Sequence, residues 1–224
     1  QAGNIDFNPN VFIKQAKSPP SAATSANAPA SPGTPTVAAV TGSDANWSKL
    51  LGTPSGTTRF AYRVTAANRF GESAASASVV ADLTPANVAA GTHVPLTVVN
   101  AASIGANPPE YYIIYRTNAL AAGATAPTAM SSYSEIARVR CTSQAAGGNS
   151  SVFNDVNLNL PFTETAYLGE LTPSVLTFRQ LAPLMRMDLA VLAPAYRWMI
   201  LMYGTPILFA PAKWTRLINV GRIS

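Results

Sequence analysis

Cysteine and histidine are all but missing from this sequence: Cys141 and His93 stand alone among 224 residues. One thiol cannot close a disulfide within the chain, and one thiol with one imidazole cannot furnish a zinc site. A Ser-His-Asp triad needs a histidine, yet His93 lies in the loop-like stretch AGTHVP and the sequence has no G-x-S-x-G elbow. A Cys141–His93 dyad is left, but Cys141 closes a strand-like run and nothing around it lowers the thiol pKa. The aspartates Asp6, Asp44, Asp82, Asp155 and Asp188 are dispersed, unlike the ligands of a calcium loop. GESAASAS and GGNSS contain glycine but lack the lysine of a phosphate-binding loop. No catalytic residue, no cofactor site and no metal site is therefore expected, and an enzyme is the least supported class.

Charge is also scarce. Charged residues make up 11% of the chain, and 15 Lys plus Arg against 10 Asp plus Glu leave +5. The excess is scattered and forms no basic arm, so it implies a weak general attraction to polyanions and excludes a specific nucleic-acid reader. The first residues, QAGNIDFNPNVFIKQAK, lack the apolar core of a signal peptide. A chain that opens on Gln1 is expected to be processed or a piece of something longer.

One apolar run tests the membrane alternative. Leu189 to Pro211 has about the length of a span of roughly 20 residues, but Arg197 would sit inside it at a cost of about 2.5–3.5 kcal/mol. Pro194, Gly204 and Pro206 would break a helix, and Tyr196, Trp198 and Tyr203 stand mid-window instead of at two interfaces. No membrane contact is expected.

What is present is turn-forming residues and short alternating strands. Ile5, Phe7, Val11, Phe12 and Ile13 give residues 1–17 one strand-like piece with nothing local to pack on. Residues 18–35, SPPSAATSANAPASPGTP, have no large apolar side chain and read as an extended linker. From 36 to 160 the apolar pattern has period two: Phe60, Tyr62, Val64 and Ala66 alternate with Ala61, Arg63, Thr65 and Ala67, and VPLTVVN, YYIIYRT, YSEIARVRC and SVFNDVNL follow. A small β-sandwich buries one face of each such strand. From 161 to 224 the sequence is far more apolar. Thr172–Pro173 suits a helix start, whereas Leu184 to Val191 alternates as a strand does, so Ser174 to Leu192 stays open. Tyr196 to Tyr203 is apolar on both faces, as in a fully buried strand, and Gly204, Thr205 and Pro206 predict a turn before ILFAP.

Two stretches carry resemblances. RFAYRVTAANRFGES (Arg59–Ser73) resembles the penultimate strand of a fibronectin type III-like domain, and YYIIYRT, YSEIARV and SSVFNDVNL resemble its middle strands. The order is changed, which implies a permuted sandwich with both ends spliced into another domain. FRQLAPLMRMDLAVLAPAYRWMILMYGTPILFAPAKWTRLINVG (Phe178–Gly221) resembles the carboxy-terminal part of major capsid proteins of tailed bacteriophages, and IDFNPNVFIKQ before a Pro-rich linker is similar to the piece leading into an inserted immunoglobulin-like domain in some of them. The family's long amino-terminal half has no counterpart in these residues.

The resemblance implies a mainly β chain: an immunoglobulin-like β-sandwich insert, residues 36–160, plus part of the α+β lattice-forming domain, residues 1–17 and 161–224. It implies a structural subunit that self-assembles into the icosahedral shell around the genome, located in the virion and, during assembly, in the host cytoplasm. Its partners would be copies of itself; it leaves room for other capsid or decoration proteins and for non-specific contact with packaged DNA. The residues expected to be buried and to hold up the surface between copies are Arg197, Trp198, Ile200, Met202, Tyr203 and Trp214, with Arg197 reaching a carboxylate or backbone carbonyls. The rival is a fibronectin III-like binding or adhesion module of a virion or cell surface.

Overall fold

The computed structural model describes residues 17–47, 55–188 and 198–221. These hold twelve strands: β1 (Thr36–Val37), β2 (Thr58–Asn68), β3 (Gly71–Glu72), β4 (Val79–Leu83), β5 (Val94–Val99), β6 (Tyr111–Arg116), β7 (Ser134–Arg140), β8 (Asn149–Asp155), β9 (Glu164–Gly169), β10 (Leu176–Asp188), β11 (Trp198–Leu208) and β12 (Trp214–Val220). The chain is mainly β, as expected, with every paired strand whose register is defined running antiparallel. It divides into two units, residues 1–164 with 218–224, and residues 165–217.

In the first unit the larger sheet runs β3-β2-β6-β7, with β4 also paired to β2, and the smaller sheet runs β1-β5-β8. One core joins them. Phe60, Tyr62, Val64 and Ala66 of β2, with Tyr112 and Ile114 of β6, share a cluster with Val94, Leu96 and Val98 of β5. The period-two spacing that puts these side chains on one face is the sheet's own. β2 and β6 go further than alternation predicts: Ala61, Ala67, Ile113 and Tyr115 are buried on the opposite face with Tyr133. A short helix, α1 (Pro85–Ala90), carries the chain from β4 to β5. Thr84 caps it by accepting a hydrogen bond from the Asn87 N–H at 3.2 Å, proline fills its first turn, and Gly91 ends it in the left-handed region at φ 68°. The signals Thr-Pro and Gly were in the sequence, but six residues are too few to show helical period.

The stretch 18–35, whose composition reads as an extended linker, is hydrogen-bonded to the sheets of the first unit. The Glu135 N–H donates to the Lys17 carbonyl at 2.9 Å, the Thr24 N–H to the Glu72 carbonyl at 2.8 Å, the Ala75 N–H to the Pro20 carbonyl at 3.2 Å and the Gly33 N–H to the Val99 carbonyl at 3.1 Å. Pro19, Pro29, Pro32 and Pro35 are buried. The segment covers the β3 edge, whose backbone groups would otherwise stand open. Gly71 permits the approach, since a Cβ there would lie 2.8 Å from Thr24 Oγ1. The expected strand at residues 5–13 lies outside the described residues.

In the second unit β10 and β11 form a long two-stranded ribbon, in register from Leu176↔Leu208 to Asp188↔Trp198, with irregularities around Gln180–Ala182 and Ala182–Met185. Over Leu176–Asp188 the open choice between helix and strand falls to strand; the residues beyond, to Leu192, lie outside the described ones. The turn predicted at Gly204–Pro206 is absent: β11 runs straight through, with Gly204 opposite Gln180 and Pro206 opposite Phe178. A proline without an N–H is tolerated because a two-stranded ribbon is all edge. Gly204 serves close packing, since a Cβ there would collide with the Phe178 ring. β9 pairs with β12.

Candidate assembly surface

Alternation along β11 sets Trp198, Ile200 and Met202 on one face of the ribbon and Met199, Leu201 and Tyr203 on the other. Among the described residues neither face is fully covered. Trp198 is 53% exposed, Met202 55% and Tyr203 52%, while Phe178, Met185 and Met187 on β10 are exposed to a similar degree. Trp198, Ile200, Met202 and Tyr203, expected to be buried, are half-exposed among the described residues: a ribbon of two strands has no second layer of its own to close on, and only Val175 among the described apolar side chains of residues 165–217 is fully buried. Contiguous apolar exposure on this scale marks a surface that something else covers. The Arg186 guanidinium stacks 5.4 Å from the Trp198 ring centroid, and that of Arg179 lies 5.8 Å from Phe209. Arg197 lies outside the described residues.

Trp214 stands apart from the ribbon, at the start of β12. Its indole lies against Gly169, where a Cβ would overlap the ring, and Glu170 accepts a 2.7 Å hydrogen bond from the neighbouring Lys213. That bond holds the Glu170 carboxyl below its usual range. Trp214 is half-buried and its Nε1 is buried without a partner. Further along β12, Asn219, at φ 59°, accepts from the Leu160 N–H at 2.8 Å and donates to the Leu158 carbonyl at 2.9 Å.

Buried polar groups of the first unit pair with one another. Arg116 and Asp155 form a buried ion pair at 2.6 Å, Tyr62 donates to the same carboxylate oxygen at 2.9 Å, and Arg116 also reaches Asn157 Oδ1 at 2.7 Å. Burial, then the adjacent Asp155 charge, drives the Tyr62 phenol well above its usual range. Tyr115 and Thr65 donate to the buried Glu72 at 2.5 and 2.6 Å, and Lys17 pairs with that carboxylate. Burial and Glu72 push the Tyr115 phenol up as well. Sequence reasoning found these strands but not the network, because the partners of Asp155 alone are 39 and 93 residues away.

His93 and Cys141 are not brought together. His93 Nδ1 meets Asp44 at 2.7 Å, which lowers the Asp44 pKa, while Cys141 Sγ faces the Ser143 carbonyl at 3.2 Å and Ser150 Oγ at 3.5 Å. Among the described residues no group of three His, Cys, Asp or Glu could hold a metal, and no helix is long and apolar enough to cross a membrane.

The chain is similar to phage major capsid proteins. It is 37% identical over 116 residues to the putative major capsid protein of Enterococcus phage phiEF24C, a match covering 52% of this chain and 23% of that protein. It is 38% identical over 73 residues to the major capsid protein of Staphylococcus phage K, covering 33% and 16%. The matches thus span less than a quarter of the relatives' length. No family model and no solved structure matches.

Proposed function

We propose that this chain is a structural subunit, or part of one, of an icosahedral phage shell, and that copies meet through the β10–β11 ribbon. The observation that carries the proposal is that ribbon, apolar and half-exposed on both faces in a chain similar to phage major capsid proteins. Interfaces of this kind need complementary apolar faces and no active site. Its place is the virion, and the host cytoplasm during assembly. Other capsid or decoration proteins, and packaged DNA touched non-specifically, are further partners.

Residues 36–160 are, on the same proposal, a β-sandwich inserted in the lattice domain and projecting from the shell. Two features support this. β1 and β8 both flank β5, with Thr36 opposite Thr97 and Asp155 opposite Val94, so the first strand and the end of the last stand within about 15 Å of each other, five residues before the exit at 160. The neighbour relations β1-β5-β8 and β4-β2-β6 match A-B-E and G-F-C of an immunoglobulin-like sandwich, with the closing pair moved ahead of the middle strands.

Electron microscopy of the purified protein, expressed with any flanking sequence of its reading frame, tests the proposal. Closed shells or lattice patches are expected. Discrete small particles at every concentration would instead favour a fibronectin III-like binding module.

A further inference from the structure

At one end of the larger sheet a cleft of ≈ 600 Å³ opens between the β2–β3 turn, the loop before β6 and the end of β7. Its lining includes Arg69, Phe70, Pro108, Glu110, Arg140 and Gln144. The walls are fixed. Asn68 Oδ1 accepts from the Phe70 and Gly71 N–H groups at 2.9 and 3.1 Å, which sets the turn, and the Glu110 N–H and carbonyl bond Ala67 and Cys141, which sets the loop. Gln144 Nε2 donates to the Pro109 carbonyl at 3.3 Å.

The charges single this cleft out. Among the described residues of the first unit Lys17, Arg59, Arg116 and Arg138 each pair with a carboxylate. Arg63 is occupied by the Ser76 carbonyl and the Tyr133 ring. Arg69 and Arg140 have no carboxylate partner, and both line the same cleft. Arg69 is held over the Phe70 ring at 4.6 Å, which leaves its N–H fork free. A second cavity of ≈ 300 Å³ shares Arg69 and Phe70 with this cleft, but its other cations, Lys17 and Arg138, are already paired, and Arg140 lines the first cleft alone.

We infer that this cleft binds an acidic saccharide, a short sugar chain bearing a carboxylate or a phosphate. Two free guanidinium forks suit a planar or tetrahedral oxyanion. Half-exposed Phe70 and exposed Pro108 offer flat C–H surfaces to a sugar ring, and the exposed Glu110 carboxylate and Gln144 amide lie at the rim for hydroxyl groups. The volume is that of a small-molecule site. Nucleic acid fits worse, because two cations do not make a track along a phosphate backbone. An acidic peptide fits worse too: the adjacent β3 edge, which would take a strand, is already covered by Pro20 and Thr24. The inference is independent of the shell proposal, since the cleft lies wholly within the first unit.

Titration calorimetry on the full chain, at low salt and again at physiological salt, would use a galacturonic acid trimer, maltotriose 6-phosphate and plain maltotriose, with a short oligothymidine and a hexaglutamate peptide as competitors. Saturable binding of an acidic sugar, weakened by salt and at least tenfold tighter than plain maltotriose, is expected; which acid wins identifies the oxyanion. Each charge-assisted contact is worth about tenfold or more, so Arg69→Gln with Arg140→Gln should lose at least that much. Phe70→Ala should lose affinity for the phosphorylated sugar without changing the circular dichroism spectrum, and Arg59→Gln should lose nothing. No binding of either acidic sugar, equal binding of plain maltotriose, tighter binding of the oligothymidine or the peptide, or unchanged affinity in the double Arg variant would each overturn the inference.

Discussion

Arg116 is enclosed on all sides: its guanidinium pairs with Asp155, touches Asn157, and lies 5.1 Å from the ring centroids of both Trp47 and Phe60. Removing one partner of such a pair leaves a buried charge uncompensated, whereas replacing both with apolar groups of similar volume does not. Asp155→Ala is therefore expected to cost about 3–5 kcal/mol in urea unfolding, and Arg116→Met with Asp155→Leu to cost clearly less than that single change. Equal losses would show that the pair is not what stabilises this position. A second residue-level expectation concerns acid. Arg59 donates two 2.7 Å hydrogen bonds to Asp82 and holds its carboxyl below the usual range. A depressed folded pKa stabilises above the unfolded value, about 4, and the contribution is lost as pH falls through the folded one. Arg59→Gln should flatten the acid limb of the stability profile and leave its alkaline limb alone, as pH-dependent melting would show. Neither pair was legible in the sequence: YYIIYRT announces a strand, but not that its arginine points into the core toward an aspartate 39 residues on.

At the scale of elements the sequence is more transparent. Period-two alternation marks β5, β7 and β8, because a sheet face buried on one side imposes that period locally, while β2 alternates large with small side chains and β6 reads as an apolar run, both being buried on two faces. It does not mark β4 or β9, which are short and half-covered, nor the pairing of residues 18–35, where backbone groups rather than side chains make the contacts. Gly204 and Pro206 misled in the opposite direction, since their tolerance comes from an open ribbon edge and a ring packed across it. The ribbon's apolar character, and that so short a tail buries too little on itself, were evident; which molecule provides the cover was not, because hydropathy cannot say. A two-stranded ribbon is marginal alone. If copies cover it, Trp198 becomes a core residue there, and truncating a core tryptophan costs about 3–5 kcal/mol. Trp198→Ala should then abolish or sharply reduce particles in sedimentation, whereas Ser76→Ala, in the first unit, should leave their yield unchanged.

At the scale of the molecule, nearly all the fully buried apolar side chains among the described residues belong to the first unit. Scanning calorimetry of unassembled chain should accordingly show one cooperative transition carried by that unit, with a second appearing only in assembled material. Two transitions of comparable enthalpy in the dispersed chain would mean that residues 165–217 already have a core of their own. The proline-rich stretch at residues 18–35 of the first unit has a mechanical meaning as well. Its bonds run in series from Lys17 through Pro20 and Thr24 to Gly33. Tension applied through residue 17 would load them singly, so that the segment peels away one bond at a time, up to a contour length of about 55 Å, before the sheets themselves bear load.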